Sequence, residues 1–197
     1  MSISDWRGAI ETMKAPKRLF DVTSSLALLI LLSPLLVGTG PPHSVHRRQV
    51  EQLGVRQKVE FLGEVSDDQL RVLLHACTML VLPSVNRSES FGIVQLEAMA
   101  CRKPVVSTNL PTGVPWVNQD GRTGLVVPPG DVAALRLAIQ RLLDNPDLRR
   151  QYGEAGRERV ESEFTSGLHA RRMLSLYEGL LNGTATLQQP DACQVRE

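Results

Sequence analysis

Hydrophobic positions follow two regimes along the chain, and the change comes at Gly38. Before it, residues 22–37 (VTSSLALLILLSPLLV) are almost wholly apolar. After it, short apolar runs alternate with amphipathic stretches, the pattern of strands separated by helices. Gly38-Thr39-Gly40-Pro41-Pro42 is a turn cluster. Residues 46–53 read as a helix ended by Gly54, and 58–62 (KVEFL) as a short strand. Ser66-Asp67-Asp68-Gln69 has the Ser and Gln spacing of a capping box and opens a helix to about residue 77. Residues 79–82 (MLVL) form a strand that stops at Pro83, 92–100 a helix, and 104–107 and 123–127 two further strands. Asp131 caps a helix to about residue 143, Pro146 opens another that ends near Phe164, and a last amphipathic helix covers about 166–181. The polar, aperiodic residues from Gly183 onward predict a disordered tail.

The predicted fold class is α/β, a Rossmann-like parallel sheet covered on both faces by helices. The expected organisation is an N-terminal region over 1–36, a main domain over 37–182 and a tail over 183–197, with a hydrophobic helix at about 19–37. In such sheets a ligand binds outside the carboxyl ends of the strands. The strand over 79–82 ends directly before the segment that holds Glu89, so a site is expected there.

The apolar run is short for a membrane span, which takes about 20 residues. Ser33-Pro34 interrupts it, and proline removes a backbone donor and bends a helix. Lys14, Lys17 and Arg18 precede it and Arg47 and Arg48 follow it, which suits a segment that enters and leaves on the cytoplasmic face. A re-entrant or interfacial anchor is the preferred reading, beside a signal peptide and a buried core helix or strand.

Composition narrows the function more by exclusion. A length of 197 residues suits one domain with a small appendage, and a net charge of +1 gives no basic face for a nucleic acid. Aromatic content of 4% argues against base stacking. Cys77, Cys101 and Cys193 are odd in number and widely spaced, which fits neither a disulfide framework nor a zinc site and points to a reducing cytosol. No metal and no cofactor is expected.

The informative chemistry lies in residues 83–107, PSVNRSESFGIVQLEAMACRKPVVS. Glu89 sits in the loop after a strand, and Ser90-Phe91-Gly92 leads into a helix that carries Glu97 eight positions on. A helix N-terminus offers unpaired N–H groups and a partial positive charge, which suit a diphosphate. Gly92 lets the backbone approach a ligand closely, and a carboxylate at Glu97 can accept from two ribose hydroxyls. Two glutamates eight apart are by themselves usually surface charge; the apolar strand, the proline break and the glycine-led helix supply the context.

The segment resembles the Glu-x7-Glu motif of the retaining glycosyltransferase family 4, also called group 1, through Glu89, Phe91, Gly92, Glu97, Ala98, Met99 and Ala100. Val37-Gly38-Thr39-Gly40-Pro41 resembles that family's Gly-x-Gly-Pro turn, and Val59-Glu60-Phe61-Leu62-Gly63 the strand lining its base pocket. Asp120-Gly121-Arg122-Thr123-Gly124 with Pro129-Gly130-Asp131 resembles its closing strand and helix start. The likeness runs over about 37–181. It implies the C-terminal, donor-binding half of the two-domain GT-B fold, incomplete here, and transfer of a hexosyl group with retention in bacterial polysaccharide or glycolipid synthesis. Glu89 would face the reacting anomeric carbon. Ser90, Phe91 and Gly92 would offer backbone groups to the sugar, Ile93 and Val94 would meet the diphosphate, Glu97 would hold the ribose, and the backbone near Leu62 would meet the base. The implied partners are a UDP- or GDP-sugar donor, a lipid-linked or saccharide acceptor, and a chain or domain supplying the acceptor half. The implied location is the cytoplasm or the cytoplasmic face of the inner membrane.

Four features depart from the family pattern. The Arg and Lys that grip the diphosphate have no counterpart by motif, nor has a catalytic His; His43, His46, His75 and His169 are assigned surface or structural roles. Arg102 stands where the family usually has Gly, an awkward residue where φ must be positive. Trp116 stands at a family acidic position. Residues 17–37 resemble instead the membrane-inserting segment of bacterial initiating sugar-phosphate transferases, and a join of the two is expected near Leu36-Val37. A remnant of such a transferase, and a non-catalytic nucleotide-sugar-binding fragment, are the alternative functions.

Overall fold

The computed structural model describes residues 34–38 and 42–183. The apolar segment before Pro34, part of the Gly-x-Gly-Pro turn and the tail beyond Gly183 lie outside the described residues. The described residues fall into two compact units that divide between Ser66 and Asp67.

The first unit holds strand β1 (Leu35–Val37), helix α1 (Pro42–Gln52), a 3-10 turn (Arg56–Lys58) and strand β2 (Glu60–Gly63). The strands pair in parallel, with Leu35 opposite Glu60, Leu36 opposite Phe61 and Val37 opposite Gly63. The pairing extends to both sides: the Glu60 N–H donates to the Pro34 carbonyl at 3.1 Å, and the Gly38 N–H to the Gly63 carbonyl at 2.7 Å. The expected helix reaching about residue 37 is therefore corrected at its end. Pro34 disfavours helical continuation, and the groups after it find ladder partners in β2. Leu35, Leu36 and Val37 stay 44%, 36% and 45% exposed, so this strand rests on hydrogen bonds rather than on burial.

The second unit begins with helix α2 (Asp67–Ala76), strand β3 (Leu80–Leu82), helix α3 (Ile93–Ala100) and strand β4 (Val105–Thr108). It continues with the single-turn helix α4 (Val114–Val117), strand β5 (Gly124–Val127), and helices α5 (Val132–Asp144), α6 (Pro146–Glu163) and α7 (Ser166–Leu181). The sheet order is β3-β4-β5, parallel throughout. Its middle strand is buried along its whole length, which is the signature of a parallel sheet covered on both faces. Alternation along β4 sorts the core. Val106, with Leu125 and Val127 of β5, packs on Ala138 and Leu142 of α5 and Tyr152 of α6. Val105 packs on the other side with Leu74 of α2, Ala98 and Met99 of α3, and Val117 of α4. Each such valine or leucine contributes about 1.5–3 kcal/mol by leaving water.

The predicted starts of the later helices are realised by side-chain caps. Asp131 accepts from the Ala134 N–H at 2.9 Å, Asn145 from Leu148 at 2.9 Å with Pro146 in the first turn, and Thr165 from Leu168 at 3.3 Å. Helix α3 ends in a Schellman turn: the Arg102 N–H donates to the Met99 carbonyl and the Lys103 N–H to that of Ala98, both at 2.9 Å. That turn requires a left-handed residue, and Arg102 supplies it at φ +57°, as the departure from glycine suggested. Helix α6 crosses directly beneath: a Cβ on Gly153 would lie 2.2 Å from the Arg102 carbonyl oxygen. Helix α4 has no counterpart among the predicted elements, since a four-residue helix is too short to establish a period.

Candidate functional site

Because β3, β4 and β5 run parallel, the loops that follow them leave from one edge of the sheet. The loop after β3 starts at Pro83 and is tied down at once, the Thr108 hydroxyl donating to the Ser84 carbonyl at 2.6 Å. Asn86 then turns the chain, its side-chain oxygen accepting from the Ser88 N–H at 3.1 Å. Glu89 follows, half-buried, and its Oε1 accepts from the Gly92 N–H at 3.0 Å. Gly92 holds a left-handed conformation (φ +72°, ψ +62°) at the head of α3. A Cβ there would lie 2.7 Å from Gln95 Nε2 and 2.8 Å from Leu82 Cδ2. Glycine is thus required twice, for its conformation and for its size.

Helix α3 points its N-terminus out of this turn. Its first hydrogen bond runs from the Gln95 N–H to the Gly92 carbonyl at 2.9 Å, which leaves the Ile93 and Val94 N–H groups without an intrahelical acceptor. Glu97 lies one helical turn beyond Ile93 on the same face, and both side chains are exposed. The turn spans about 6 Å, so an anion at the helix start and a hydroxyl-bearing group at Glu97 would be adjacent. The structure therefore brings Glu89, Ser90, Phe91, Gly92, Ile93, Val94 and Glu97 together on one loop and helix start. The Gly92 N–H, one of the backbone groups expected to meet the sugar, donates here to Glu89 Oε1. Leu62 belongs to β2 in the other compact unit, where the Arg47 guanidinium lies 4.9 Å from the centre of the neighbouring Phe61 ring.

Three residues that support the loop went unrecognised in the sequence. Gln95, fully buried, donates through Nε2 to the Phe91 carbonyl at 3.0 Å and to the Val114 carbonyl at 3.4 Å. Gly113 donates its N–H to the Ser90 carbonyl at 2.8 Å and makes room for the Phe91 ring, which a Cβ would approach to 2.7 Å. Arg159 of α6 is 4% exposed; it pairs with Glu163 and caps α4 by donating to the carbonyls of Trp116 at 2.9 Å and Val117 at 3.3 Å. Its guanidinium faces the rings of Trp116 and Phe164 at 5.5 and 5.2 Å, and those rings meet each other at 5.1 Å and Phe91 at 6.0 and 6.2 Å. Trp116, where the resemblance would place an acidic residue, thus joins Phe91 and Phe164 in a cluster of tilted and edge-on rings. A polar residue on a largely apolar helix was the one advance mark of Gln95, and Arg159, set among charged neighbours, carried none.

Two neighbouring features take no part in this arrangement. A shallow depression of about 340 Å³ is lined by Asn109, Pro115, Asp120, Val126, Val127 and Pro128, none of them an expected site residue. Its one carboxylate, Asp120, already accepts from the Val126 N–H at 2.9 Å. Burial pushes the thiols of Cys77 and Cys101 up from their ordinary value, against the opposing pull of Lys103, so both are poor nucleophiles at neutral pH. Among the described residues no group of acidic, histidine or cysteine side chains could hold a metal ion, and no helix is long and apolar enough to cross a membrane.

Comparison with known proteins identifies the family. The family model described as "Glycosyl transferases group 1" matches residues 7–159. The O-antigen chain mannosyltransferase C of Escherichia coli is 37% identical over 150 residues, which are 76% of this chain and 40% of that protein. The N-acetyl-alpha-D-glucosaminyl L-malate synthase of Bacillus anthracis is 34% identical over 172 residues, 86% of this chain and 43% of that one. Among solved structures, sucrose-phosphate synthase from Thermosynechococcus elongatus superposes with a TM-score of 0.65 at 36% identity, covering 80% of this chain and 42% of its own. A glycosyltransferase from Rickettsia africae shares the fold over 92% of this chain and 53% of its own, with a TM-score of 0.69 at 21% identity. The chain thus spans about 40% of the length of these curated relatives. The match also begins at residue 7 rather than near residue 37, so it runs through the segment likened to the initiating transferases. A match over most of the chain, seated on a parallel sheet whose loop and helix carry the two glutamates, shows that this chain belongs to the group 1 glycosyl transferases.

Proposed function

We propose that this chain forms the donor-binding half of a retaining hexosyltransferase of bacterial polysaccharide or glycolipid synthesis, taking a UDP- or GDP-sugar. The observation that carries the reading is the start of α3. Two unpaired N–H groups, at Ile93 and Val94, lie between the Glu89 carboxylate and the exposed Glu97 carboxylate one turn on. A diphosphate at that helix start is stabilised by the N–H groups and the helix dipole, and most of all as it departs and gains charge. Glu97 accepts from the ribose hydroxyls. Glu89 faces the sugar, where a carboxylate stabilises positive charge developing at the anomeric carbon. The donor module is assigned to residues 37–182. The acceptor, lipid-linked or a saccharide, is presented by a further domain or partner chain. The apolar segment that precedes β1 is read as membrane-associated on the cytoplasmic face. The relatives' names span mannosyl, D-rhamnosyl and N-acetylglucosaminyl donors, so family membership supports the donor class rather than one sugar.

Isothermal titration with UDP and GDP tests the reading. Saturable binding is expected, weakened about 10- to 100-fold by Glu97→Ala, the loss of charge-assisted hydrogen bonds to two hydroxyls. Cooperatively folded protein that binds neither nucleotide, or a Glu97→Ala variant with unchanged affinity, refutes it.

A further inference from the structure

We infer that Gln95 is a positioning residue for recognition of the donor sugar, acting through the Phe91–Gly92 peptide; the inference rests on the donor reading of the Glu89–Gly92 loop. The carbonyl of Phe91 and the N–H of Gly92 belong to one planar peptide group and point to opposite sides of it. The structure holds that group from both sides. Gln95 Nε2 donates to the Phe91 carbonyl at 3.0 Å, and the Gly92 N–H donates to Glu89 Oε1 at 3.0 Å. The same Nε2 reaches the Val114 carbonyl at 3.4 Å, beside the Gly113 N–H bond to the Ser90 carbonyl. The loops after β3 and β4 are thereby joined at two points, and the sugar-facing loop borrows the rigidity of the sheet.

Gln95 is an unexpected residue for its surroundings. It is fully buried, and its Oε1 has no hydrogen-bond partner. A buried unpaired acceptor is unfavourable, and an apolar side chain of similar shape would avoid it. Its amide orientation is nevertheless determined, because a flipped amide would set Oε1 against the carbonyl oxygens of Phe91 and Val114. Gly92 completes the arrangement, since any Cβ there would collide with Nε2. With the carbonyl released, the peptide can rotate, turn an acceptor toward the sugar and free the Glu89 carboxylate. Ile93 and Val94, the diphosphate contacts, lie beyond this peptide and keep their directions.

The test uses the full chain and its Gln95→Met variant, which keeps the volume and removes the donor. Amide hydrogen exchange followed by NMR is expected to show the Gly92 N–H protected in the wild-type chain and exchanging about tenfold faster in Gln95→Met, with α5 and α6 unchanged. Titration is expected to show UDP or GDP affinity retained and the added affinity of the matching nucleotide sugar lost by about tenfold. A folded Gln95→Met variant with unaltered Gly92 exchange overturns the proposal, as does a fall of nucleotide and nucleotide-sugar affinity in step. If Gln95→Met does not fold, the wild-type chain decides: a Gly92 amide exchanging as fast as an open loop amide overturns the clamp. A wild-type chain that binds no nucleotide removes the donor reading instead, while the exchange measurement still judges the clamp.

Discussion

Replacing Gly92 by alanine superposes two costs that the structure allows to be separated. The first is conformational: at φ +72° and ψ +62° an L-residue stands in the left-handed region, which costs about 1–2 kcal/mol. The second is steric. The new methyl would lie 2.7 Å from Gln95 Nε2 and 2.8 Å from Leu82 Cδ2. Leu82 Cδ2 is the free end of a half-buried side chain and can turn aside, but Gln95 is fully buried and pinned to two carbonyls, so its amide retreats only by giving up those bonds. Overpacking of this kind costs about 1–3 kcal/mol. The sum, about 2–5 kcal/mol, is a large part of the roughly 5–15 kcal/mol that holds a domain folded. Gly121 provides the control. Its φ is +70°, yet a Cβ there meets nothing within 4 Å. Gly121→Ala should therefore cost only the conformational part. Urea unfolding of the two variants against the wild type measures both, and the difference isolates the collision at Gln95. Equal losses for the two variants would refute the argument that Gly92 is required for its size.

Three further outcomes follow from particular contacts. Arg102→Gly relieves a left-handed arginine (φ +57°) at the cost of an exposed 3.1 Å ion pair with Glu154, and should raise stability by about 0.5–1 kcal/mol; an unchanged or lower urea midpoint counts against strain there. Arg159→Met removes a buried guanidinium from the Trp116 and Val117 carbonyls and leaves Glu163 unpaired, so a loss of about 2–4 kcal/mol in the same assay is expected, and a wild-type midpoint contradicts it. Cys77 and Cys101 have thiols raised by burial above their ordinary value of 9.0. The unfolded chain loses these protons first, so the stability they contribute is complete below pH 9.0 and declines as pH rises through the raised folded values. A Cys77→Ala, Cys101→Ala double variant should show a flatter alkaline limb, and an identical limb speaks against burial as the cause.

The sequence by itself determined what local pattern can carry. Short apolar runs located β3, β4 and β5, and the capping residues Asp131 and Pro146 located α5 and α6. The family resemblance, carried by residues close together in the chain, marked Glu89 and Glu97 as the proposed site and Arg102 as standing where glycine is usual, and that position is left-handed. These signals lie within a few residues of one another, where periodicity, caps and φ preferences act. What the tertiary structure decided are contacts between distant residues. Residues 35–37 read as the end of a hydrophobic helix until pairing with β2 makes them a strand. Helix α4 is too short for a period and is held by Arg159, more than 40 positions on. Gln95 is one of two polar residues in an otherwise apolar helix until the fold brings the Phe91 and Val114 carbonyls to its amide. Hydrogen-bond partners far apart in the chain leave no mark on local pattern. The residues proposed to bear the chemistry were therefore named from the sequence, while the means by which their backbone is held in place emerged only when the loops after β3 and β4 came together.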